Sequence, residues 1–157
     1  MSIMHPDALF AEIRRLYVRL EADLAGLGGR CDRSGRCCRF REFGHRLYLT
    51  TPELEYLLAG LDPAALDIPD DRCPFLTAGA DGRPACGNHE QRAIGCRIFF
   101  CNAADPAPFH EVYERHHAAM KELCARHGLE YRYQEVLAAL RERRDAARGE
   151  AADRGRE

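Results

Sequence analysis

Apolar residues near the start of the chain recur at helical spacing. Leu9, Phe10, Ile13, Leu16, Tyr17, Leu20 and Leu24 share one face, and Gly28-Gly29 follows as a stop. This pattern predicts an amphipathic helix from Pro6 to Leu27. The period then disappears. From Gly29 to Gly44 turn formers dominate, which predicts a loop ordered by something other than packing. Weak alternation over Arg46 to Thr50 predicts a short strand. Thr51-Pro52-Glu53 reads as a helix start, with a hydroxyl cap and a proline in the first turn, running through Leu54, Leu57 and Leu58 to Gly60. Asp62-Pro63 opens a further short turn or helix.

Around Asp81-Gly82 the flanks Phe75 to Ala78 and Pro84 to Asn88 predict a small hairpin, whose proline confines that strand to an edge. Cys73 and Cys86 then flank the hairpin and can approach one another. Phe109, Val112, Tyr113, Met120, Leu123 and Cys124 predict a helix over Pro108 to His127, ended by Gly128. Val136, Leu137 and Leu140 predict another from Gln134 to Ala147. Residues 148–157 are charged and small, which predicts a frayed tail. The expected fold is therefore mainly α with a small β-hairpin. Its helices pack around an irregular cysteine-rich region in a single domain spanning 1–147.

A chain of 157 residues buries a real core, so a metal is not required merely to rescue a tiny fold. The 23 basic and 25 acidic residues leave a formal net charge of -2 with no basic groove, which argues against a nucleic-acid partner. Lys121 is the lone lysine, a bias that reads as a GC-rich genome rather than guanidinium chemistry. No apolar stretch reaches the length of a membrane span. Asp7, Glu12, Arg14, Arg15 and Arg19 interrupt any leader-like apolar run near the N-terminus, which predicts a cytoplasmic protein with reduced thiols rather than a disulfide scaffold.

Seven of the eight cysteines fall between Cys31 and Cys101. They read Cys31, the vicinal pair Cys37-Cys38, Cys73-Pro74-Phe75-Leu76, Cys86, Cys96 and Cys101. Short loops between thiols lower the entropic cost of converging on one point, so the expected ligand is a metal ion. Four-thiolate coordination suits zinc and an iron-sulfur cluster alike, and the spacings match neither a standard zinc ribbon nor a ferredoxin run.

The segment Cys86-Gly87-Asn88-His89-Glu90-Gln91-Arg92-Ala93-Ile94-Gly95-Cys96-Arg97-Ile98-Phe99-Phe100-Cys101 carries a resemblance. With Cys73-Pro74-Phe75-Leu76 and Thr51-Pro52-Glu53, it resembles the bacterial CxxCxxCC family, cysteine-cluster proteins described as zinc- or iron-chelating. The likeness covers residues 29–102, flanked by the helices at 6–27 and 108–147. Ser34 stands where that family has a further cysteine, and Ala93 where it usually has proline. Serine is a poor ligand for zinc or iron. The expectation is one closed site per chain rather than two.

Taken together, the residues and the resemblance nominate Cys31, Cys37, Cys73, Cys86, Cys96 and Cys101 as ligands. Cys38 is the alternate to Cys37, because neighbouring side chains tend to diverge. Arg92 and Arg97 are expected to offset thiolate charge, with Glu90 pairing to one of them, while Arg39 and Arg72 read equally well as surface residues. His45 and His89 can complete a site, although loop histidines are more often solvated. His110, Glu114 and His117 share one helix face that reads as solvent-facing rather than as an iron site. Cys124 lies on an apolar stripe and reads as a core residue.

No phosphate loop, dinucleotide fingerprint or serine elbow is present. The leading expectation is a cytoplasmic metal-binding protein. Two alternatives remain open. Cysteine segments of this kind also occur in flagellin lysine N-methylases, which implies by analogy a redox or methyl-transfer component. The other is a metal-stabilised scaffold for a protein partner.

Overall fold

The computed structural model describes residues 6–29, 31–99 and 105–156. The protein is mainly helical, with 57% helix, 8% strand and two small antiparallel two-stranded sheets. In chain order the elements are α1 (Pro6–Ala25), α2 (Phe40–Phe43), β1 (Tyr48–Thr50), α3 (Thr51–Leu57), β2 (Leu76–Ala78), β3 (Pro84–Cys86), α4 (Ile94–Arg97), α5 (Ala107–Arg126), β4 (Tyr133–Glu135) and α6 (Val136–Arg154). Short 3-10 turns occur at Arg36–Cys38, Pro63–Ala65 and His89–Gln91.

Two apolar clusters hold the fold. In the first, Leu9, Ile13, Leu16, Tyr17, Leu20 and Leu24 of α1 pack on Phe109, Val112, Met120 and Leu123 of α5, with Tyr56 and Ile94. Each buried side chain of this size contributes about 1.5–3 kcal/mol, so the α1 stripe alone is enough to fix its partner helix. Ion pairs set the direction. Glu12 meets Arg126 at 2.7 Å and His127 at 2.9 Å, while Asp23 meets His116 at 2.6 Å. The two helices therefore run antiparallel.

The second cluster gathers Phe40, Leu49, Leu54, Leu57, Ile68, Val136, Leu137 and Leu140. Cys73 is buried in it, and Cys38 and Cys96 pack against it. This core thus forms the floor of the cysteine region.

β1 pairs with β4 through Tyr48 to Glu135, Leu49 to Gln134 and Thr50 to Tyr133. The sequence pattern predicts the first of these strands and misses the second. Three residues of Tyr-Gln-Glu are too short to show a period, so β4 is made by its pairing rather than by propensity. The expected hairpin forms with Leu76 opposite Cys86 and Ala78 opposite Pro84. At its tip Gly82 takes φ +76, a left-handed conformation that glycine reaches without a Cβ clash.

Helix ends differ from expectation in two places. The cap of α3 is Thr50, not Thr51: the Thr50 amide and hydroxyl both donate to Glu53 Oε2 at 2.7 Å. The Thr51 hydroxyl instead donates to the Glu130 carbonyl and accepts the Arg132 amide, which fastens the chain entering β4. In α6, Glu135 caps the start through the Leu137 and Ala138 amides, and the helix runs to Arg154 where fraying from 148 is expected. Alanine, arginine and glutamate there are strong helix formers, and Arg148 donates to the Ala64 carbonyl at 2.9 Å.

Candidate metal centre

The loop from Cys31 to Cys38 is held at three points. Arg33 makes a forked ion pair with Asp81 at the hairpin tip, with contacts of 2.7 and 3.0 Å. Arg83 donates to the Asp32 carbonyl at 2.6 Å, and the Cys73 amide donates to the Cys38 carbonyl at 2.7 Å. Gly35, at φ +73, lies so close to β3 that a Cβ would meet Pro84 Cβ at 3.1 Å. Ser34 Oγ accepts the Arg36 amide at 3.3 Å and so helps start the turn carrying Cys37 and Cys38.

Cys86 is brought in by the hairpin register. Beyond it, the Asn88 amide side chain donates to the Leu57 carbonyl at 2.7 Å, and Gln91 donates to the Ala59 carbonyl at 2.9 Å. These bonds seat the 89–91 turn on the end of α3. Cys96 rides on α4, whose first amide, that of Ile94, donates to Glu53 Oε1 at 2.7 Å. Buried Glu53 therefore accepts from both α3 and α4, tying the Thr-Pro-Glu segment to the helix that carries a candidate ligand. Burial raises the Glu53 carboxyl, opposed by the bonds from Thr50 and Ile94. Sequence reasoning missed this role; a glutamate three residues after a threonine was its visible signal.

Six of the seven candidate cysteines come to one region, and Cys101 lies outside the described residues. Cys31, Cys37, Cys38 and Cys86 line a cavity of about 430 Å³ together with His89 and Arg92. Cys73 and Cys96 belong to the second core beside Cys38. All seven described cysteines are free thiols.

The vicinal pair does not diverge as expected. Cys37 Sγ and Cys38 Sγ lie 3.7 Å apart, the Arg36–Cys38 turn having brought both side chains to one side. Two thiolates on one tetrahedral zinc, each about 2.3 Å from the ion, are separated by about 3.8 Å. The pair thus fits a shared ion, although no three His, Cys, Asp or Glu side chains among the described residues already stand at the spacing of a bound metal.

Electrostatics bind the thiols into one unit. The Cys38 contact, and after it burial, raises Cys37 far above an ordinary thiol. The Cys37 hydrogen bond alone lowers Cys38, but the Cys73 thiol, burial and Cys86 outweigh it and push Cys38 up to about 12. Burial, then Cys38 and Cys37, raises Cys96 well above the usual range. Burial also raises Cys86, opposed by the Asn88 amide and by Arg92. Like-charge repulsion among clustered thiolates in low dielectric is what a bound cation relieves.

Arg92 is the cation that opposes these shifts at Cys37, Cys86 and Cys96, as expected of it. Arg97 is placed otherwise. It stacks over the Tyr17 ring at 3.9 Å, pairs with Glu21 at 2.9 Å, and donates to the Arg92 and Glu90 carbonyls. Its partner is thus Glu21 and the Glu90 backbone, not the Glu90 carboxylate, and it braces α4 against α1. Arg39 faces Glu42 at 3.8 Å and Arg72 pairs with Asp71 at 3.2 Å, both at the surface.

His89 lines the thiol cavity, and burial, then Arg92, lowers it toward the neutral form that ligates metals. His45 lies apart, bonded to the Cys37 carbonyl at 3.2 Å between the rings of Phe40 and Phe99. His110 and Glu114 are exposed and 3.8 Å apart, while His117 turns to the Tyr131 hydroxyl at 2.7 Å. They form no three-donor set. Cys124 is fully buried and donates to the Leu129 carbonyl, far from the thiol group's partners.

No family model, curated protein or solved structure matches this chain. Among the described residues, no helix is long and apolar enough to cross a membrane.

Proposed function

We propose that the chain is a cytoplasmic metal-binding protein that holds zinc or an iron-sulfur cluster through cysteine thiolates, in the manner of the CxxCxxCC family it resembles. One observation carries the reading: Cys31, Cys37, Cys38 and Cys86 line one cavity with Arg92 as the facing cation, and Cys73 and Cys96 lie in the core beside Cys38, so that thiols from four separate segments gather in one region. Cys38 is the hub, because Cys37, Cys73, Cys86 and Cys96 all act on it or are acted on by it. Three of Cys37, Cys73, Cys86 and Cys96 complete the four thiolates, with Cys31 and His89 at the open side.

A bound metal supplies a positive charge that turns the thiols into stable thiolates and cross-links the four segments. Four thiolates on zinc leave a formal charge of about -2, which Arg92 partly offsets. Glu53, Asn88 and Gln91 hold the Cys86 and Cys96 segments in place beforehand, which lowers the ordering cost of binding.

The test is an absorption spectrum and elemental analysis of protein purified without oxygen. Zinc gives a colourless protein, and a cluster gives visible charge-transfer bands with iron and sulfide. Protein from which neither element can be recovered, and which takes up neither on reconstitution, refutes the proposal.

A further inference from the structure

Cys37 also lines a second, smaller cleft of about 240 Å³. Two aromatic pairs line it: Tyr48 tilted against Tyr133, ring centres 5.3 Å apart, and His45 stacked on Phe99, 5.4 Å apart. Tyr48, Phe99 and Tyr133 are 38%, 37% and 44% exposed, and they make up half of the six exposed large apolar side chains among the described residues. Such a concentration of wet rings in one concave place marks a recognition site more than a random surface.

One cation lines this cleft. Arg46 lines it, and among the described residues no carboxylate pairs with Arg46. Glu135, which shares a neighbouring cavity with Arg46, keeps its two oxygens on the Leu137 and Ala138 amides. The volume lies below the range of about 300–1,000 Å³ usual for drug-sized ligands, so the space suits one ring and its substituents. Ring faces, and a guanidinium that no carboxylate among the described residues pairs with and that can fork onto an oxyanion, select a flat ring carrying a carboxylate or similar acid group.

We infer that the cleft bounded by Tyr48, Tyr133, Phe99, His45 and Arg46 binds a one-ring aromatic anion. Cys37 lines both this cleft and the thiol cavity, so the bound ring lies beside a residue of the candidate metal centre. The inference does not depend on the metal reading. Saturable binding by metal-free protein leaves it intact whatever the cysteines hold.

The experiment is a titration of the full chain, followed by NMR, with 4-nitrobenzoate, neutral 4-nitrotoluene and the 4-nitrobenzylammonium cation. Saturable binding of the benzoate, about tenfold tighter than its neutral analogue, is expected. Its shifts should centre on Tyr48, Gly95, Phe99 and Tyr133. Arg46→Gln, at an exposed position, should abolish the preference for the anion, and Phe43→Leu, at an exposed ring outside the cleft, should leave it unchanged. Equal affinity for the three probes, an absence of saturation, or shifts centred elsewhere overturns the inference.

Discussion

Cys38 and Cys124 carry the same side chain in opposite settings. Cys38 stands among thiols: the Cys37 bond lowers it, but the Cys73 thiol, burial and Cys86 push it up to about 12, whereas Cys124 sits in an apolar helix face with one bond to a carbonyl. Cys124→Ala should therefore cost on the order of 1–2 kcal/mol of stability and leave metal content unchanged, whereas Cys96→Ala should lose metal. Denaturant unfolding with elemental analysis separates the two, and equal metal loss in both variants refutes the distinction. Ser34 makes a further residue-level prediction. Its hydroxyl serves the turn at Arg36, and the thiol cavity is lined by Arg33 and Gly35 on either side of it rather than by Ser34. Ser34→Cys should accordingly be tolerated with no added metal. More metal per chain in that variant points to a vacant coordination position instead.

At the scale of elements, α1 and α5 were legible because apolar stripes of seven and six residues at helical spacing leave few alternatives. The hairpin was legible from Asp-Gly between two short apolar flanks. β4 and the linkage of α3 to α4 were not, since both depend on partners far away in sequence. Glu53 is the clearest example: its two oxygens bond the Thr50 amide and hydroxyl and the Ile94 amide. Glu53→Ala leaves these buried donors unpaired and should cost about 3 kcal/mol. Because Ile94 opens the helix that carries Cys96, metal affinity should fall with it; unchanged metal uptake separates the carboxylate from the site.

The clasp between α1 and α5 predicts an acid response. Arg126, then His127, holds the Glu12 carboxyl below its ordinary value of 4.5, and His116 holds Asp23 below its ordinary 3.8. A depressed carboxylate contributes stability that is present above its unfolded pKa and lost as pH falls through its folded one. Urea midpoints measured from pH 7 down to about pH 3 should fall in the wild type below pH 4.5. The Glu12→Gln/Asp23→Asn double variant should start lower and fall less. Parallel curves for the two proteins contradict this assignment.

The whole molecule divides its work between two cores. The α1 and α5 core is an apolar packing that holds none of the candidate ligand cysteines, while the second core holds Cys73 with Cys38 and Cys96 packed against it. The sequence pattern groups seven cysteines, and six of them lie in one region of the structure. The convergence of the vicinal pair was hidden, since local geometry alone favours divergence and only the turn at Arg36–Cys38, bonded to Cys73, reverses it. The opposite placements of Arg92 and Arg97 were hidden for a related reason: residues five apart around a four-residue helix face different neighbours. The account rests on those thiols acting as one metal centre. Metal content per chain, measured with mass-spectrometric counting of alkylated cysteines before and after chelation, tests this most directly. The account predicts one zinc ion or one cluster per chain, protection of Cys37, Cys38, Cys73, Cys86 and Cys96 while it is bound, and their exposure once it is removed. A chain free of metal, with those thiols freely reactive and its fold unchanged, contradicts it.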